Sequence, residues 1–99
     1  MNDSNNGDIT RAKVNLETSK VAWTELQRFF AGGAAVFVAS TLDLVDVAYQ
    51  FSIDNNHQVA LWMQNKQIAL VSDQQAINWL ASDTEVWAVV VKPWILVQE

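Results

Sequence analysis

Cysteine is absent from this 99-residue chain, which excludes disulfides, iron–sulfur clusters and thiolate metal sites. The absence fits a reducing compartment. Charge is also scarce: 17% of residues are charged against 51% hydrophobic. Basic residues are few in the later part of the chain. Through residue 39, Arg11, Lys13, Lys20 and Arg28 balance Asp3, Asp8, Glu17 and Glu25. Beyond it only Lys66 and Lys92 face Asp43, Asp46, Asp54, Asp73, Asp83, Glu85 and Glu99, so the whole net charge of −5 lies there. Such a surface repels nucleic acid and anionic membrane. No purely apolar run exceeds six residues, as at 86–91, which is far too short to span a bilayer. The polar start, residues 1–8, lacks the basic and apolar regions of a signal peptide and reads as a disordered leader. These absences together predict a cytoplasmic location.

What is present is a single domain's worth of chain over residues 9–99. Five tryptophans are unusual at this length and predict some indoles half-buried in a groove or subunit contact. Ala12, Leu16, Trp23, Leu26 and Phe30 recur at spacings of three or four. That spacing predicts one long amphipathic helix over residues 10–31, stopped by Gly32-Gly33. A short strand follows over 34–39. A second helix opens at Ser40 or Thr41, with Asp43 near its positive end and an apolar face including Leu44, Val47 and Phe51. A polar turn leads to a third helix over 57–65 and a strand over 67–71. Ser72 and Gln75 have the spacing of a capping box, opening a helix that buries Ala76, Ile77, Trp79 and Leu80. The last strand begins near Glu85, breaks at Lys92-Pro93 and resumes over 94–97. The only proline has no N–H to donate, so it belongs at an edge, a bulge or a turn between strands. The predicted class is α+β: a small mixed sheet of three or four short strands, packed by a long N-terminal helix and three shorter ones.

Two stretches carry a family resemblance: Leu42-Asp-Leu-Val-Asp-Val-Ala48 and Trp87-Ala-Val-Val-Val-Lys-Pro-Trp-Ile-Leu-Val-Gln98. Residues 62–72 and 23–30 are similar too. The chain resembles, over residues 10–99, a short bacterial family known as a domain of unknown function. The resemblance implies a bacterial cytosolic setting and carries over no catalytic residue or cofactor.

Three functional readings remain. Chain ends are usually polar and loose, yet this one is β-branched and aromatic. It is either a strand tied into the core or an edge that another chain covers. Trp87, Lys92, Pro93, Trp94 and Leu96 are therefore candidate partner-binding residues, by strand addition or aromatic packing. The favoured reading is a non-enzymatic protein-binding or regulatory module that forms homo-oligomers or binds another protein. Its contact would include the C-terminal strand and part of the first helix.

The second reading is a helix-turn-helix-like nucleic-acid-associated protein, because residues 42–72 have that local order. Three carboxylates against one ammonium there weigh against it, since phosphate neutralisation supplies most DNA affinity. The third is a small-ligand binder or enzyme using Asp43, Asp46 and His57. The two aspartates share one helical face, but they also read as a helix-end charge and a solvated side chain. His57 has no ligand-spaced Cys, Asp or Glu beside it. None of Ser40, Ser52, Ser72 or Ser82 lies in a nucleophile elbow. No metal or other cofactor is called for, and the residues lean away from an enzyme.

Overall fold

The computed structural model describes Val14 and residues 17–99; the expected leader lies outside the described residues. The described elements are β1 (Ser19–Ala22), a 3-10 helix (Trp23–Leu26), α1 (Gln27–Ala31), β2 (Ala35–Val38), α2 (Leu44–Ser52), α3 (Asn56–Gln64), β3 (Ile68–Leu70), α4 (Asp73–Ala81), β4 (Glu85–Val91) and β5 (Trp94–Gln98). The strands form one five-stranded sheet in the order β1-β4-β5-β2-β3. Only β2 and β5 run parallel; the other pairs are antiparallel.

The α+β class holds, but the expected three or four strands and long N-terminal helix do not. Ser19–Ala22 is a strand, and the helical part after it is a 3-10 turn followed by a five-residue α-helix. The reason is long-range pairing. Ser19 to Ala22 lie opposite Ala88 to Glu85, covering an edge of β4 that would otherwise be open. The Trp23 backbone N–H donates to Thr84 O at 2.9 Å, so it is unavailable to a helix running in from upstream. The helical spacing of Trp23, Leu26 and Phe30 is real but local. Gly33, at φ 74, ends that short segment in the left-handed region, where glycine carries no Cβ penalty.

Strand alternation sorts the sheet into two buried faces. On one, Val36, Val38, Val89 and Leu96 pack under α2 and α3 through Leu44, Val47, Ala48 and Trp62, with Val14 and Ile68. On the other, Ala35, Val86, Ala88, Ile95 and Val97 pack with Trp23, Leu26, Ala76 and Trp79. Helices thus cover both sides. Consecutive residues at the chain end serve opposite faces. Gln98 Nε2 donates to Ala39 O and Leu42 O at 2.9 and 2.7 Å, while Trp79 Nε1 donates to Glu99 Oε2 at 2.8 Å.

The helix starts follow local chemistry. Asp43, rather than Ser40 or Thr41, caps α2, its carboxylate accepting the Val45 N–H at 2.9 Å. Asn55 caps α3 by accepting the Gln58 N–H. Ser72 and Gln75 form the expected capping box. Lys92-Pro93 turns β4 back into β5, with Val91 opposite Trp94 and the Lys92–Pro93 peptide cis.

Candidate functional site

The α2–α3 pair covers its face of the sheet incompletely. Near the β4–β5 turn a cleft of about 270 Å³ remains between helices and strands. Val36, Val91 and Trp94 form its sheet side, and Phe51 and Val59 its helical side. The mouth is polar. Asp54 comes from the α2–α3 connection, Asn56 from the start of α3, and Lys92 from the β4–β5 turn. Asp54 sits at φ 57, a left-handed conformation that Asp and Asn adopt more readily than most residues. Its neighbour Asn55 ties the connection down, donating from Nδ2 to Gln50 Oε1 at 2.7 Å while capping α3. Met63 and Leu70, 54% and 55% exposed, extend apolar surface from the cleft.

A second apolar feature lies beyond the opposite face. α4 buries Ala76 and Trp79, but Ile77 and Leu80 stand 59% and 49% exposed. They were expected inside. The four positions span too wide an arc for one packed face on a nine-residue helix, so one pair must point outward. The exposed pair borders a groove of about 350 Å³, closed on its other side by Trp23, Gln27 and Phe30. Among the described residues its polar lining is Gln27 and Asp73.

A family described as protein of unknown function, DUF2288, matches residues 9–99. The chain belongs to the DUF2288 family. The NMR solution structure of PA1075 from Pseudomonas aeruginosa is similar to this DUF2288 protein at 35% identity and a TM-score of 0.79. That likeness covers 100% of this chain and 89% of PA1075. No curated protein matches the chain. Membership agrees with the family resemblance of the sequence and brings a shared fold without an activity.

The structure separates several residues that the sequence grouped. Lys92, Pro93 and Trp94 line the cleft together. Trp87 is on the same face of the sheet but four residues back along β4, about 13 Å away at strand rise. It is 44% exposed, with Lys20 Nζ at 5.8 Å from its ring centroid. Leu96 is fully buried and presents no surface. β5 is flanked by β4 and β2, so a partner strand cannot add to it; the outer strands are β1 and β3.

The polar trio does not converge. Asp43 and Asp46 stand at the start of α2, which is about 14 Å long, and His57 lies beyond its far end in the first turn of α3. Among the described residues no group of three or more His, Cys, Asp or Glu is placed to hold a metal ion. The helix-turn-helix order is present in α2 and α3, but α3 turns Trp62 into the sheet and exposes the apolar Leu61, one turn from His57, and Met63. Among the described residues no helix is long and apolar enough to cross a membrane.

Sequence reasoning missed Asp54 and Asn56 as parts of a mouth. Their only signal was the turn itself, since the cleft joins segments far apart in the chain.

Proposed function

We propose that this DUF2288 protein is a non-enzymatic cytoplasmic binding module that self-associates through the outer face of α4. The observation behind this reading is the ridge of Ile77 and Leu80 beside a groove walled by Trp23 and Phe30. A ridge next to a groove is self-complementary. Two copies related by a two-fold axis can each place the ridge in the other's groove. The lack of cysteine suits the reducing compartment.

Energetics set the expected strength. Covering the exposed half of an isoleucine or leucine is worth about 1 kcal/mol, so four such side chains in a dimer give about 4 kcal/mol. Association costs about 4–15 kcal/mol in lost freedom. The ridge alone barely offsets the low end of that cost, and filling of the aromatic groove must supply the rest. The dimer is therefore expected to be weak and concentration-dependent.

Sedimentation velocity over a rising concentration series tests the reading. The wild type should shift toward a dimer, and Ile77→Glu with Leu80→Glu should remain monomeric. Because both side chains are exposed, the pair should change stability by only about 0.5 kcal/mol per site. A wild type that stays monomeric at high protein concentration rejects self-association.

A further inference from the structure

The cleft under α2 and α3 has an apolar interior and two opposite charges at its mouth, Asp54 and Lys92, on separate turns. We infer that it is a binding site for a small zwitterion with an apolar side chain, that is, an apolar α-amino acid. Its carboxylate meets the Lys92 ammonium, its ammonium meets the Asp54 carboxylate, and its side chain enters between Trp94 and Phe51.

Three observations carry this assignment. The first is size. A cleft of about 270 Å³ falls just below the range of about 300–1,000 Å³ typical of drug-sized ligands, which suits an amino acid and is small for a nucleotide. The second is the wall chemistry. Aromatic and branched side chains favour an apolar group and offer ring faces for offset or edge contacts. The third is charge complementarity. A simple organic anion gains at Lys92 but is repelled by Asp54, and an organic cation meets the reverse. An uncharged molecule gains at neither. Only a ligand bearing both signs benefits from both groups. Lys92 is one of just two cations against seven carboxylates in residues 40–99.

The mouth is also held in place before any ligand arrives. Asn55 fixes the α2–α3 turn through Gln50 and the α3 amide, and the Val91–Trp94 pairing anchors the turn that carries Lys92. Such preorganisation lowers the cost of binding. This site is on the opposite face of the sheet from the α4 ridge and does not depend on self-association.

The test is an NMR amide-shift titration of the full chain with L-phenylalanine, phenylacetate, phenethylamine and benzyl alcohol. L-phenylalanine should bind tightest, with saturable shifts centred on residues 54–56 and 92–94. Lys92→Gln should weaken L-phenylalanine and phenylacetate by about fivefold while sparing phenethylamine. Asp54→Asn, which tolerates the left-handed backbone, should weaken L-phenylalanine and phenethylamine while sparing phenylacetate. A merely structural role would not give this crossed pattern. The wild-type ligand series decides the matter even if a variant misfolds. The assignment is overturned if L-phenylalanine gives no saturable shifts, shifts other residues, or binds no better than phenylacetate or benzyl alcohol.

Discussion

On one face of the sheet Trp23 meets Trp79 and Phe30 edge-on, at ring separations of 5.0 and 5.8 Å. On the other, Trp94 stands half-buried in the wall of an open cleft. Both faces use helices and apolar strands, yet they fill space differently. The aromatic side encloses its tryptophans and leaves surplus apolar residues outside, on α4 and at Val90. The α2–α3 side leaves room inside and places Asp54 and Lys92 on the cleft's exposed lining. Tryptophans of similar chemistry thus differ in how completely each is enclosed: Trp23 is 1% exposed, and Trp94 borders open space.

That contrast can be broken by experiment, beginning with the two tryptophans. Trp23 is 1% exposed, so Trp23→Ala should cost about 3–5 kcal/mol in urea unfolding. Trp94→Ala should cost clearly less, because the indole already borders empty space. Equal losses would mean that the cleft wall is as much core as the aromatic cluster.

A smaller effect separates the last two residues. Gln98→Ala removes two hydrogen bonds to the backbone of residues 39 and 42 on the α2–α3 side. A loss of about 1–2 kcal/mol is expected, since Ala39 O keeps its bond from the Leu42 N–H. Glu99→Ala removes one bond, to the Trp79 indole, and should cost about 1 kcal/mol or less. The reverse order, read from urea midpoints, would show that the aromatic side depends more on its polar clasp than on packing. Of similar size, and the most local, is Ser72→Ala. Loss of the capping box should cost about 1 kcal/mol and increase amide exchange in the first turn of α4.

Much of the fold was legible because it rests on short-range chemistry. Strands rich in valine and isoleucine, the Ser72–Gln75 box, the Gly33 stop and the break at Lys92-Pro93 all act within a few residues. β1 was not legible. Ser19-Lys-Val-Ala22 lacks a strong β pattern, lies within a helical spacing, and becomes a strand through pairing with residues more than sixty positions away. The apolar C-terminal run was legible as a strand, but its central position depends on β2 pairing parallel to it. A covered edge and an interior strand look alike in composition. The candidate sites were the least legible. Lys92, Pro93 and Trp94 were singled out, but their companions Asp54 and Phe51 arrive from another part of the chain. Ile77 and Leu80 look like core until α4 is seen to offer only one face to the sheet.

The most direct measurement of the central claim, that the outer face of α4 is a contact surface, is an isotope-filtered NOE spectrum on mixed labelled and unlabelled protein. Intermolecular contacts between the methyl groups of Ile77 and Leu80 and the ring of Phe30 are the predicted result. Intermolecular contacts confined to the outer strands β1 or β3, or none at concentrations where the protein is dimeric, would contradict it.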